Sequence, residues 1–166
     1  HLVLRRQRQM CIRDRATPYN SIKLLRNIYM NFDQIKEDLD LFSEWEDRYG
    51  YIIDLGKQIS LPDEKKTDKN KVNGCASQVW LDMTWNKPND AKVLNIEGDS
   101  DALIVKGLIA ILLSLYKGKT LVEAQAVDPR AEFEKLGLNA HLSSQRSNGL
   151  KSMIDQIKIF VNTGEN

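Results

Sequence analysis

The segment from Ala102 to Tyr116 constrains the fold more strongly than any other part of the sequence. Residues 102–105 and 108–113 are all apolar, so a helix over this segment is hydrophobic nearly all round and has to be buried. It is too short to span a bilayer, and Lys106 interrupts its apolar surface. Gly107 costs about 1 kcal/mol relative to alanine inside a helix, a cost that close packing against another backbone would offset. We therefore predict a central buried helix and no membrane association.

The residues before this helix have the pattern of a β-hairpin. Apolar side chains occupy every second position of the first predicted strand: Val79, Leu81, Met83 and Trp85. The turn formers of residues 86–90 separate this strand from a second apolar run at 93–96, which predicts the returning strand. Val72 is predicted to add a short third strand.

Apolar spacing and capping patterns predict the remaining helices. A first helix is expected over residues 32–42, and Ser43 with Glu46 has the capping-box form before a second helix that ends near Gly56. Three further helix starts are indicated: Thr120–Glu123, Asp128–Pro129, and Ser143 or Ser144. The order of two helices, strands and more helices describes an α+β fold, with a small antiparallel β-sheet packed on one face by helices.

Composition narrows the class of protein. The chain has 166 residues, of which 42% are hydrophobic and 28% charged, which is typical of one soluble domain with a real core. Its two cysteines and two histidines are not closely spaced, so neither a zinc site nor a disulfide framework is indicated. The scarcity of cysteine favours a reducing compartment, and we predict a cytoplasmic location.

Cys75 lies between a charged segment, Pro62 to Asn70, and the first predicted strand. Two interpretations of that segment stay open, a solvated loop and a rim that contacts a partner protein. Gly74 allows a backbone bend or a close approach beside the thiol. A lone cysteine is either a small buried hydrophobe or a nucleophile. For a nucleophile, we expect Val72, Ala76 and nearby strand or helix side chains to shelter the thiol in the free chain, and burial to raise its pKa.

The sequence around Cys75 resembles a known family. The run Gly74-Cys75-Ala76-Ser77-Gln78-Val79-Trp80 is similar to the motif G-C-x-S-Q-V-W of the SufE/CsdE cysteine desulfuration proteins. Three further stretches, 45–56, 98–108 and 141–150, resemble the family's second helix, its central helix with the preceding turn, and the lead into its last helix. The resemblance extends from about Met30 to Phe160.

This resemblance implies the fold shared by SufE-like proteins and IscU-type scaffolds, and a part in iron–sulfur cluster assembly. Cys75 would accept sulfane sulfur, as a persulfide, from a cysteine desulfurase of the SufS or CsdA type. It would then deliver the sulfur to a SufBCD-like scaffold. The desulfurase carries the pyridoxal phosphate, so no cofactor or metal is expected on this chain. A homodimer is a further option for its partners.

The rival hypothesis is a non-covalent scaffold or regulator that binds a desulfurase without accepting sulfur. IscU-type scaffolds use several metal-binding cysteines, whereas the predicted domain has one. The carrier hypothesis describes a covalent sulfur carrier and desulfurase activator rather than a stand-alone enzyme.

Two supporting residues follow from the same resemblance. Arg146 is expected to stabilise the Cys75 thiolate or to contact a partner, since a cation near the first turn of a helix opposes the helix dipole. The alternative is a surface arginine with its guanidinium in water. Asp101 is expected to support the cysteine loop, with capping of the central helix and interaction with its dipole as the alternative. His141 is interpreted as a capped or solvated residue rather than a general base.

Residues 1–29 are interpreted as an unstructured or spurious extension, and residues 30–166 as a single SufE-like domain. The extension carries seven basic residues and one acid, a net charge of +6, whereas the rest carries seventeen bases and twenty-two acids, a net −5. An acidic body does not favour nucleic-acid binding. A mitochondrial presequence is the alternative interpretation of the arginine-rich extension. No role is assigned to Cys11.

Overall fold

The computed structural model describes residues 31–87 and 91–164. The predicted extension, residues 1–29 with Cys11, lies outside the described residues. The elements run in chain order: α1 (Phe32–Asp40), α2 (Trp45–Gly56), β1 (Val79–Asn86), β2 (Val93–Ser100), α3 (Leu103–Tyr116), α4 (Leu121–Ala126), α5 (Pro129–Lys135) and α6 (Ser144–Thr163). Short 3₁₀ turns occupy Asp63–Lys65 and Asn139–His141. The α+β prediction is confirmed.

The two strands form an antiparallel hairpin with a single register. Val79 lies opposite Ser100 at one end, and Trp85 lies opposite Leu94 near the other. The predicted third strand is reduced to a bridge between Lys71 and Trp80. Beside this bridge the N–H of Val72 donates to the Val79 carbonyl at 2.9 Å. The prediction of a short third strand there was wrong, because the chain leaves the sheet edge immediately after Val72.

Helix α3 is the buried centre of the domain, as its sequence predicts. Its side chains pack against α2 and against β2, and Ile109, Ile111 and Leu112 are completely buried. Gly107 lets α2 approach: a Cβ at this position would overlap the Ile52 carbonyl oxygen. A Cβ at Gly56 would lie 2.6 Å from the Gly107 nitrogen. The helical glycine is therefore explained by close contact of two backbones.

Three of the predicted helix starts are confirmed and one is wrong. Thr120 and Glu123 form the capping box of α4, and Asp128 caps α5 with a proline at the first helical position. Ser143 is the N-cap of α6, where its hydroxyl accepts from the backbone N–H of Arg146 at 3.4 Å. Helix α2 begins one residue later than its capping pattern implies, since Glu44 is the N-cap and makes no side-chain capping bond.

The charged segment from Pro62 to Asn70 is tied to the polar face of the sheet. Lys65 forms ion pairs with Asp82 at 2.8 Å and with Glu97 at 2.5 Å, and hydrogen bonds to these two carboxylates raise its pKa. Lys66 pairs with Asp99 at 3.1 Å. The segment is therefore held against the sheet at two lysines, although the interpretation as a partner-contacting rim stays a prediction. Within the described ranges, no helix has both the length and the apolar character of a membrane span.

Candidate functional site

The loop that carries Cys75 is fixed at both ends. It leaves the sheet edge at Val72, which is buried, and returns to it at Val79. Gly74 has φ of +86°, in the left-handed region that side chains rarely adopt, so this position of the loop requires glycine. Cys75 thus follows a backbone turn whose conformation depends on Gly74.

The Cys75 thiol lies against the last helix. Its Sγ donates a hydrogen bond to the carbonyl oxygen of Gly149, in α6, at 3.5 Å. The side chain is half-buried, and burial raises the pKa of the thiol above its ordinary value. The expected shelter is therefore present, but α6 supplies part of it, while Ala76 is exposed. At neutral pH the resting group is the protonated, slowly reacting thiol.

A second contact lies one helical turn further along α6. A Cβ on Gly74 would come within 2.7 Å of the Ser152 hydroxyl oxygen. A Cβ on Gly149 would lie 3.3 Å from the Cys75 sulfur. Residues three apart lie on the same face of a helix, so two consecutive loop residues dock on one face of α6.

Asp101 holds the outgoing end of the loop. Its carboxylate accepts from the backbone N–H of Gln78 at 3.0 Å, and its own N–H donates to the Gln78 carbonyl at 3.3 Å. It does not cap the central helix, since the N-cap of α3 is Ala102 and no side chain makes a capping bond there. The capping alternative is therefore wrong. The hydrogen bonds of Asp101 go to Gln78, which is three residues after Cys75.

Arg146 and Cys75 line the same cavity, of about 330 Å³. Apolar side chains of α3 and α6 form much of its wall: Ile104, Val105, Leu108, Leu150 and Met153. Arg146 is partly exposed, and among the described residues its guanidinium has no ion-pair or hydrogen-bond partner. A cation with unused donors in the wall of this cavity is suited to meet an anion that arrives there.

His141 and Trp80 make contacts within the fold. His141 stacks on Trp45, with ring centroids 3.9 Å apart and 14° between the ring planes. Trp80 lies beneath Lys66, whose Nζ is 5.9 Å from the ring centroid. Within the described part of the chain, no group of three or more His, Cys, Asp and Glu side chains is placed to hold a metal ion.

Gly149 and Ser152 have no role that the sequence motifs predict. A glycine inside a helix is a signal in itself, because it lowers helix stability relative to alanine. The φ of Gly149 is not positive, so its backbone conformation does not require glycine. Its position next to the thiol was not readable from the sequence, since the contact joins residues 74 positions apart.

The domain that contains this site matches a known protein family. Residues 33–161 match the model of SufE, described as an Fe-S metabolism associated domain. The chain belongs to the SufE family. Two SufE-like relatives, both named uncharacterized, are about half identical to it. The one from Rhizobium etli is 50% identical over 129 residues, covering 77% of this chain and 87% of the relative. The one from Rhizobium meliloti is 49% identical over 129 residues, covering 77% and 92%.

A solved structure shares the SufE-family fold of this chain. It is the solution structure of a hypothetical protein from Thermus thermophilus, with a TM-score of 0.61 and 17% sequence identity. The match covers 81% of this chain and 97% of that protein. The matched SufE domain contains the cysteine loop, Asp101 and Arg146, so the whole candidate site belongs to the family's domain.

Proposed function

We propose that this chain is a sulfur carrier that holds sulfane sulfur as a persulfide on Cys75. The observation that carries the proposal is the placement of that thiol, half-buried on a loop at a cavity lined by Arg146, in a domain whose family is associated with Fe–S metabolism. Buried thiols react slowly, which suits a carrier that is to react with one partner only.

The transfer is an exchange between sulfur atoms. The Cys75 thiol loses its proton to solvent, and the thiolate attacks the outer sulfur of a donor persulfide. A bond forms between Cys75 Sγ and that outer sulfur while the donor's own sulfur–sulfur bond breaks. The donor leaves as a thiolate and takes a proton from solvent. The sulfane sulfur moves without net oxidation or reduction, so the step requires no cofactor or metal on this chain.

The partners in this proposal are those that membership of the SufE family implies. The donor is a pyridoxal-phosphate cysteine desulfurase of the SufS or CsdA class, and the acceptor is a SufBCD-like scaffold. Because the resting thiol is sheltered, the docked desulfurase has to supply the binding energy that turns the loop toward it. In this proposal Arg146 stabilises the thiolate or the incoming persulfide, and Asp101 supports the loop.

Stimulation of cysteine turnover tests the proposal. A desulfurase of this class is assayed for sulfide or alanine release with the full chain and with Cys75→Ser, whose hydroxyl is similar in size but far less nucleophilic than a thiolate. We expect the parent chain to stimulate turnover and the variant to bind without stimulating it. Equal stimulation by the two chains would favour the non-covalent regulator instead.

A further inference from the structure

We propose that Gly149 is a positioning residue for the Cys75 thiol. Its carbonyl oxygen holds the unloaded thiol against α6, and its lack of a side chain makes that position available. The proposed seat consists of Gly149 and Ser152 on α6, facing Cys75 and Gly74 on the loop. The seat is argued from geometry, and its consequence for sulfur transfer rests on the proposed function.

The distances show that a side chain at position 149 would force the Cys75 sulfur to shift by a few tenths of an ångström. A Cβ there would lie 3.3 Å from the Cys75 sulfur, 3.7 Å from its Cβ and 3.8 Å from its Cα. Gly149 is buried inside a 20-residue helix, where alanine is the better helix former. Helix propensity and backbone conformation therefore do not account for this glycine, whereas the closeness of the thiol does.

The contact at Gly74 supports the same seat independently. Gly74 approaches Ser152 closely enough that a Cβ would come within 2.7 Å of the hydroxyl oxygen. Its φ of +86° lies in the left-handed region, immediately before the cysteine. Two neighbouring loop residues thus approach α6 closely, each at a glycine: Gly74 on the loop and Gly149 on the helix.

The seat distinguishes an empty carrier from a loaded one. The resting thiol has a hydrogen on Sγ, which it donates to the Gly149 carbonyl. After transfer, Sγ is bonded to carbon and to the second sulfur and has no hydrogen left to donate. The carbonyl keeps its bond within α6 but loses the thiol as a second donor, and it then faces sulfur lone pairs. Loading therefore weakens the contact of the loop with α6, and unloading restores it.

Gly149→Ala tests the seat through the reactivity of the thiol. The added methyl group is expected to displace the thiol from the Gly149 carbonyl. Loss of that hydrogen bond predicts a rise of about fivefold to tenfold in the alkylation rate of Cys75 at fixed pH. Gly50→Ala is the matched control, because a Cβ at this glycine of α2 meets nothing within 4 Å. We expect the control to alkylate at the parental rate. A rate for Gly149→Ala within about twofold of the parent would overturn the proposal.

A second measurement covers the case in which Gly149→Ala folds poorly. Amide hydrogen exchange over residues 73–77 is compared in Cys75→Ser and Cys75→Ala. The serine hydroxyl can donate to the Gly149 carbonyl and alanine cannot, so we expect near-parental exchange in the first and exchange about fivefold faster in the second. Equal exchange in the two variants would contradict the proposal. Neither experiment contains a sulfur donor, so their outcome is independent of whether sulfur transfer occurs.

Discussion

The carboxylate of Asp101 accepts a hydrogen bond from the backbone N–H of Gln78 at 3.0 Å, and the Asp101 N–H donates to the Gln78 carbonyl at 3.3 Å. This pair joins the start of the central helix to the loop that carries Cys75. The helix is buried and the loop approaches α6 at its other contacts. Asp101 is therefore hydrogen-bonded to the loop at Gln78, three residues after the cysteine.

Removal of this carboxylate is expected to loosen the loop. In Asp101→Ala the Gln78 N–H loses its partner, and at this exposed position we expect a cost of about 1 kcal/mol. The alkylation rate of Cys75 is predicted to rise by about fivefold. Asp101→Asn, which keeps an acceptor oxygen, is the matched control and is expected to stay near the parental rate. An unchanged rate in the alanine variant would show that Asp101 does not restrain the loop.

Arg146 is expected to act in transfer and not in folding. Its guanidinium has no partner among the described residues, so Arg146→Gln should leave the free energy of unfolding within about 0.5 kcal/mol of the parent. The rate of sulfur acceptance from a desulfurase is predicted to fall by about tenfold, as for loss of one charge-assisted contact. Lys151→Gln, an exposed neutralisation on the same helix, is the control. Equal losses in the two variants would indicate a general charge effect instead.

The half-buried thiol of Cys75 predicts that the stability of the domain depends on pH. Burial raises the pKa of Cys75 from its ordinary value of 9.0 in the folded chain. The native state then holds its proton more tightly than the unfolded state, so the contribution is fully present below the unfolded pKa and is lost as pH rises through the folded pKa. Thermal unfolding between about pH 8 and 10 should show a steeper loss of stability for the parent than for Cys75→Ser. Parallel curves would contradict the burial of the thiol.

The contact between α2 and α3 predicts the largest effect on stability. A Cβ at Gly107 would overlap the Ile52 carbonyl, and backbone cannot move aside as a flexible side chain can. Gly107→Ala is expected to destabilise the domain by about 3 kcal/mol, at the upper end of the usual cost of overpacking. Gly50→Ala in α2 should instead gain up to about 1 kcal/mol. Urea unfolding measures both, and a neutral Gly107→Ala would refute the close backbone contact.

Apolar spacing and capping patterns along the sequence predicted those helices and strands that depend on neighbouring residues alone. The apolar run from Ala102, the alternation from Val79 and the Thr120–Glu123 box each specify one element, and each element is present. Cys75 was found through its motif, and the structure places Arg146 at the same cavity. The seat at Gly149 was not predictable, because it depends on how the loop meets a helix far along the chain.

The ion pairs of the charged segment, Pro62 to Asn70, were also not predictable from the sequence. Its composition is that of a solvated loop, yet Lys65 and Lys66 pair with Asp82, Glu97 and Asp99 on the sheet. Burial opposes ionisation of Asp99, but hydrogen bonds from Lys106 and Lys66 hold the pKa of that carboxyl below its usual range. Such pairs become visible only when the strand register is known, since spacing along the sequence does not bring their partners together.

Mass spectrometry of the chain after incubation with a cysteine desulfurase and cysteine tests the central claim most directly. Without reductant, we expect a gain of about 32 Da, one sulfur atom, mapped to the peptide that contains Cys75 and reversed by a thiol reductant. Cys75→Ser is the control and should gain nothing. A parent chain that binds the desulfurase and stimulates it while Cys75 stays unmodified would contradict the account, and would identify the protein as a non-covalent regulator.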